Sequence, residues 1–255
     1  MPEPGFAEIA VLAAVALAAG TIDAVAGGGG LLTVPALLAA GLPPHLALGT
    51  NKGQSVFGSF AALVRFARSG LVDRRRARLA FPLGLAGSFA GAALVLAIPP
   101  ATLRPVVVVL LAGVAVFVGV RRPPRPRFED APPRRGAAVL AGAAALAIGA
   151  YDGFFGPGTG TFLIVAYVGL LGDGLARASA SAKVVNFASN FAALVLFAAR
   201  GAVAWRIALP MAAAQLAGGW MGAHLTVRRG DALVRRAVVA VALAAAAKLA
   251  WDMRG

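Results

Sequence analysis

Four ionisable residues lie within or beside long apolar stretches of the sequence: Asp23, Lys52, Asp152 and Lys183. Charged side chains are expensive inside a bilayer, and they usually face a partner, a cavity or an ion pathway. Two carboxylates and two ammonium groups in such surroundings are suited to binding a small charged ligand or to carrying protons. Thiolate metal sites are excluded because the chain contains no Cys, and its two His residues lack the spacing of metal ligands.

Each lysine begins a row of polar side chains at helical spacing. Residues 52, 55 and 59 fall on one helix face, as do 183, 186 and 190. An ammonium beside hydroxyls and carboxamides offers donors to an anion, and helix N-termini at a break add backbone N–H groups. The alternative is that the lysines snorkel and the Asn and Ser side chains only hold helices together. The predicted substrate-binding set is Lys52, Lys183, Thr50, Asn51, Ser55, Asn186 and Asn190, with Gly28, Gly29 and Gly158 at the breaks.

Each aspartate precedes a glycine-rich stretch. Asp23 is followed by the glycine tetrad 27–30, and Asp152 is followed by GPGTGT at 156–161. Glycine lets the backbone turn within a membrane and approach a helix or a ligand closely. Asp23 and Asp152 are predicted to balance a lysine or to act as proton-coupling sites. Capping the helix that follows the break is the alternative role.

The composition is that of a membrane protein. Of the 255 residues, 60% are hydrophobic and 13% are charged, against about 45–50% and about 25% in soluble domains. The 24 basic residues outnumber the 10 acidic ones, but most lie in short loops, as the positive-inside rule expects, so nucleic acid is not an expected partner. Apolar stretches of about 20 residues, long enough to cross a bilayer, lie at 6–26, 78–98, 102–120, 136–155 and 207–227.

The sequence repeats itself. Residues 51–72 align with 182–203, which places Lys52 on Lys183 at a spacing of 131 positions, and a spacing of 129 places Asp23 on Asp152. Each half is predicted to contain a long helix, a glycine break, a short apolar segment (31–40; 160–171), a second long helix (45–68; 176–199) and two more spans. The short segments are about half a membrane thick, which favours re-entrant helices.

These features predict an all-α integral membrane protein with two repeated halves of about four transmembrane helices each. The first half is 1–120, a Pro- and Arg-rich linker loop is 121–135, and the second half is 136–255. Counting the basic residues of the loops does not distinguish parallel from inverted halves. Inverted repeats are the commoner plan in transporters, so we expect inversion.

The segments AVAGGGGLLTVPALLAAGLPPHLALGTNK, GFFGPGTGTFLIVAYVGLLG and ASASAKVVNFASN resemble the TauE/SafE family of sulfite exporters and probable membrane transporter proteins. The resemblance covers nearly the whole chain. It implies a multi-pass protein of the bacterial inner (cell) membrane, with about seven or eight spans, that moves sulfite, sulfoacetate or other organosulfur anions. The glycine stretches and the segments around Lys52 and Lys183 match the repeated motif of the family. Pro157 and Thr159 interrupt the second glycine run.

The sequence therefore predicts a secondary transporter that exports a small anion by alternating access, and not an enzyme. The expected partners are the anionic substrate and the lipid bilayer, and the chain could also form a homodimer. No cofactor or metal is expected. One alternative is a membrane scaffold or assembly factor without transport. The other is an intramembrane aspartyl protease built on Asp152 and the Asp173 of GLLGDG, because two membrane carboxylates can share a proton.

Overall fold

The computed structural model describes residues 5–120 and 136–252, and these residues are helical between short turns. The predicted linker loop at 121–135 lies outside them. The first five helices are α1 (Phe6–Ala26), α2 (Gly30–Ala39), α3 (Pro44–Arg68), α4 (Arg74–Leu96) and α5 (Pro100–Val120). The others are α6 (Ala137–Phe154), α7 (Thr159–Ala166) with a π-helical turn at Tyr167–Leu171, α8 (Leu175–Ala199) and α9 (Trp205–Asp252).

The described ranges contain five helices that are long and apolar enough to span a membrane. They are α1, α4, α5 over Pro100–Val118, α6 and α8. This confirms the all-α membrane class, while the number of spans in each half stays a prediction. The predicted short segments are present as Gly30–Ala39 and Thr159–Leu171. The stretch predicted as a span at 207–227 belongs to the longer α9, which is interrupted where Gly230 leaves helical geometry.

The first glycine break reverses the chain. Gly27 adopts a left-handed conformation with φ 76° and its N–H bonds to Asp23 O at 3.0 Å, which ends α1. After this turn α2 folds back along α1, since Leu37 of α2 packs in one cluster with Leu12 and Ala47. The short segment therefore returns toward the end of the molecule where α1 began, as a re-entrant helix does.

Helices α3 and α8 run antiparallel through the centre of the molecule. The start of α3 meets the end of α8, because Leu48 shares a cluster with Phe197. The end of α3 meets the start of α8, where Phe66 shares a cluster with Ala180. Both lysine-bearing helices thus cross side by side in opposite directions, which brings their polar rows to the same level.

Small residues let the outer helices approach closely. A side chain at Gly87 or Gly91 of α4 would collide with backbone atoms of α6, and one at Gly218 or Gly222 of α9 would collide with the backbone of α1. Glycine at such contacts replaces side-chain packing with direct backbone contact, as is common between membrane helices. The ends of α1 and α6, which carry the predicted aspartates, are held in this way.

One end of the molecule carries a charged network. Arg76 at the start of α4 forms two hydrogen bonds of 2.8 Å with the Asp173 carboxylate, just before α8. Asp231, next to the break in α9, accepts hydrogen bonds from Leu175 N at 2.9 Å and Ala176 N at 2.7 Å. A carboxylate at a helix N-terminus satisfies N–H groups that lack helical partners. The starts of α4 and α8 and the break in α9 therefore lie at the same end.

Candidate functional site

Two buried ion pairs join the two sequence halves crosswise. Lys52 Nζ lies 2.6 Å from Asp152 Oδ1, and Lys183 Nζ lies 2.7 Å from Asp23 Oδ2. The side chains of Lys52 and Lys183 are 1% and 0% exposed, so neither lysine snorkels to a membrane interface. Each lysine is paired with the aspartate of the other half, so Asp23 is not the partner of Lys52.

The aspartates are positioned by the last turns of α1 and α6, directly before the glycine breaks. The second oxygen of Asp23 accepts a long hydrogen bond of 3.4 Å from Gly29 N, so Asp23 also contributes to the start of α2. The second oxygen of Asp152 accepts a hydrogen bond from the Ser189 hydroxyl of α8. The capping role and the charge-balancing role that the sequence left open are thus both present at Asp23.

The two glycine breaks contact each other at the centre. Thr161 N donates to Gly27 O at 2.9 Å, and the Thr161 hydroxyl donates to Ala26 O at 2.9 Å. A side chain at Gly27 would collide with the backbone of Gly160. On the other break, a Cβ at Gly156 would lie 2.8 Å from Lys52 Nζ. Glycine is therefore required at both positions for the left-handed turn, at Gly27 also for contact with the other break and at Gly156 also for contact with the Lys52–Asp152 pair.

A small polar cleft lies between the breaks and helices α3, α8 and α9. Both aspartates contribute to its wall, so the ion pairs form part of its boundary. Its residues are Asp23, Gly27, Gly29, Gly30, Asn51, Ser55, Asp152, Gly156, Gly158, Thr159, Gly160, Asn186, Asn190 and Gln215.

The cleft brings together most of the predicted binding residues. Asn51, Ser55, Asn186, Asn190, Gly29 and Gly158 line it, together with Asp23 and Asp152. The predicted residues that do not line it are Gly28, Lys52, Lys183 and Thr50. The two ammonium groups lie behind the wall in their ion pairs. The Thr50 hydroxyl accepts a hydrogen bond of 3.0 Å from Ala204 N and so joins α3 to the start of α9.

Hydrogen bonds fix one side of the cleft. Asn51 Oδ1 accepts from the Thr33 hydroxyl at 2.6 Å and from Gln54 Nε2 at 2.9 Å. Gln54 Nε2 also lies 3.1 Å from Ser55 Oγ. This network ties the re-entrant α2 to α3 and orients the polar row that begins at Lys52.

Sequence reasoning missed Gln215, a cleft residue of α9 that is 3% exposed. The stretch around it was interpreted as an apolar span. One signal was present: the 131-position spacing places Gln215 on Gly84, so a large polar side chain stands where the first half has only glycine. Thr159 and Gly160 were also missed as wall residues, although both belong to the second glycine run.

The charges at the site cancel in pairs. Two carboxylates face two ammonium groups, and removing such ions from water is costly unless each is paired and hydrogen-bonded. The same pairing bears on the protease alternative, because Asp152 bonds to Lys52 whereas Asp173 bonds to Arg76. In this arrangement the two carboxylates of that alternative are each held by a different basic residue.

Comparison with known proteins agrees with this architecture. The family model described as Sulfite exporter TauE/SafE matches residues 12–249. The probable membrane transporter protein YfcA of Escherichia coli K12 is 39% identical over 97% of this chain and 91% of its own length. Probable membrane transporter proteins of Sinorhizobium and Haemophilus influenzae are each 36% identical, covering 99% and 96% of the chain and 96% and 95% of their own lengths. No solved structure matches the chain.

The helical fold and the similarity to membrane transporters together define the class of this protein, which is a helical membrane protein of a transporter family. The chain belongs to the TauE/SafE family. The resemblance found in the glycine motifs and the lysine segments is therefore confirmed over nearly the whole chain.

Proposed function

We propose that this protein is a secondary transporter of the bacterial inner membrane that exports a small anion by alternating access. The substrates we propose are sulfite, sulfoacetate or another organosulfur anion. The observation that carries the proposal is the pair of crossed Lys–Asp bridges beside a polar cleft. Membership of a family described as sulfite exporters supports the substrate class.

The two halves are inverted with respect to each other in this proposal. The antiparallel course of α3 and α8, which carry the repeated lysines, supports it. In this arrangement the Arg-rich end would face the cytoplasm by the positive-inside rule. That end carries Arg65, Arg68, Arg74, Arg75, Arg76, Arg78, Arg228, Arg229, Arg235 and Arg236, and the opposite end carries Arg104, Arg200 and Arg206.

Anion binding competes with the ion pairs. While Asp23 and Asp152 hold the two ammonium groups, neither lysine has a free charge to offer. Protonation of an aspartate would remove its negative charge and release its lysine toward the cleft, and Gly156, which lines the cleft, lies beside the Lys52 ammonium. An arriving anion would then replace the carboxylate as the partner of the lysine. This exchange couples substrate binding to proton binding without any ATP-driven step.

Alternating access requires that the two ends open in turn. At one end α3 packs closely on the turn between α8 and α9 and on the start of α9, since a side chain at Gly49 would collide with Ala202 O, and one at Gly53 would lie 3.3 Å from Ala208 Cβ. The two bridges also differ, because Asp23 is 25% exposed and Asp152 is 4% exposed. Bridges of unequal exposure agree with a single state of a transporter whose two halves move relative to each other.

Flux measurement in proteoliposomes tests the function. Purified protein should carry labelled sulfite or sulfoacetate, and an imposed proton gradient should change the rate. Lys52→Ala and Lys183→Ala should each abolish the flux. A folded wild-type protein that moves neither anion under any gradient would support the scaffold alternative. Unchanged flux in both variants would show that the lysines do not bind the substrate.

A further inference from the structure

Three carboxamide side chains face the cleft without a hydrogen-bond partner for the side chain in the described ranges. Asn186, Asn190 and Gln215 are 3%, 7% and 3% exposed, and all three line the cleft. The buried Asn186 Oδ1 has no partner at all. Nearly all buried polar groups in proteins are paired, so unpaired ones need an explanation. The unpaired Asn186 Oδ1, beside two more carboxamides that make no side-chain hydrogen bond in the described ranges, indicates that a ligand in the cleft supplies the missing partners.

The Gln215 side chain occupies a space between α1 and α3 that two glycines leave open. A side chain at Gly20 of α1 or at Gly58 of α3 would collide with the Gln215 carboxamide, so both glycines leave room for this group. The first half has no such arrangement, since Gly84 occupies the aligned position and packs directly on Gly149. The carboxamide is thus present in only one half of the repeat, between α1 and α3.

We propose that Gln215, with Asn186 and Asn190, contacts the substrate and selects a singly charged oxyanion that retains one hydroxyl group. The inference rests on the proposed transport function and specifies its substrate class. Carboxamides donate through N–H and accept through oxygen, so they pair with both the oxygens and the O–H of such an ion. The cleft is rich in acceptors, because the Asp23 and Asp152 carboxylates also line it. These carboxylates are already paired with lysines, so the hydroxyl of the ligand would pair with a carboxamide oxygen, and the carboxylates would repel a doubly charged ion more than a singly charged one.

The test compares Gln215→Met with Thr226→Val in proteoliposomes. Thr226 is a matched control, because it is a fully buried polar residue on the same helix whose hydroxyl bonds to Gly222 O and it does not line the cleft. The probe is labelled sulfite at mildly acidic pH, where hydrogen sulfite is present. Methanesulfonate, a singly charged oxyanion without a hydroxyl, is the competitor.

Gln215→Met should raise the half-saturating sulfite concentration about tenfold with little change in maximal rate, as expected for one lost hydrogen bond to an ion. It should also let methanesulfonate compete more nearly equally with sulfite. Thr226→Val should keep the wild-type half-saturation and selectivity. If wild-type protein moves sulfite but the two variants behave alike, the inference is wrong. If wild-type protein moves no anion, the transport function itself fails.

Discussion

The Lys183 ammonium lies 2.7 Å from Asp23 Oδ2, although 160 positions of sequence separate the two residues. Lys52 and Asp152 form the matching contact of 2.6 Å. Each bridge therefore ties the long helix that follows a re-entrant segment in one half to the helix that precedes the glycine break in the other. The two crossed ion pairs therefore connect both glycine breaks to both lysine-bearing helices around the cleft.

Removing one partner of a bridge should destabilise the protein more than removing both. Lys52→Met leaves the Asp152 carboxylate buried without its ammonium, which costs about 3–5 kcal/mol. The double variant Lys52→Met with Asp152→Asn buries no uncompensated charge and should recover much of that loss. Thermal unfolding of purified protein in detergent measures both. A double variant no more stable than the single one would show that the loss does not come from the unpaired Asp152 charge.

The two aspartates should respond differently to neutralisation. Asp152 is almost fully buried and also bonds to Ser189, whereas Asp23 is partly exposed at the cleft. Asp152→Asn should therefore lower the unfolding temperature more than Asp23→Asn does. Asp23→Asn should retain the fold but lose the response of sulfite flux to a proton gradient. Measuring melting and gradient-driven flux on both variants checks this, and the opposite order of effects would contradict it.

Sequence reasoning predicted the helices closely, for reasons that the structure makes plain. The expected segments 6–26 and 31–40 correspond to Phe6–Ala26 and Gly30–Ala39. Apolar length and the glycine breaks determine where such helices begin and end, and both can be read locally. The repeat also drew attention to the four ionisable residues that form the two ion pairs, because the pairs use both copies.

Partner choice could not be predicted in the same way. Asp23 and Lys52 belong to the same half of the sequence, yet Asp23 bonds to Lys183 of the other half. This pairing arises because α8 runs antiparallel beside α3. The role of Gln215 was also hidden, since one polar residue in an apolar run does not reveal which helices surround it. Both facts depend on how the halves pack, which is a long-range property.

Glycine at the α4–α6 contact should be required for close packing. A side chain at Gly91 would collide with Ala150 O, so Gly91→Ala should separate the helices and destabilise the protein by about 1–3 kcal/mol. Gly113 of α5 is the control, because a Cβ there meets nothing within 4 Å. Gly113→Ala should be neutral or stabilising by roughly 0.5–1 kcal/mol, through helix propensity. Thermal unfolding compares them, and equal losses would show that the collision is relieved at no cost.

The orientation of the halves can be measured with single cysteines, because the natural chain contains none. Arg74, Arg104, Arg200 and Arg229 are exposed and lie near the ends of helices, so a cysteine at each should react with a maleimide without disturbing the core. Inverted halves place Arg74 and Arg229 on one side of the membrane and Arg104 and Arg200 on the other.

Parallel halves would instead group Arg74 with Arg200 and Arg104 with Arg229. With the Arg-rich end in the cytoplasm, a membrane-impermeant maleimide added to intact cells should label Arg104→Cys and Arg200→Cys and spare the other two until the cells are opened. The hydrogen bonds that join Arg76 to Asp173 and Asp231 to the start of α8 favour this grouping. Labelling of Arg229→Cys together with Arg104→Cys in intact cells would overturn the inverted arrangement.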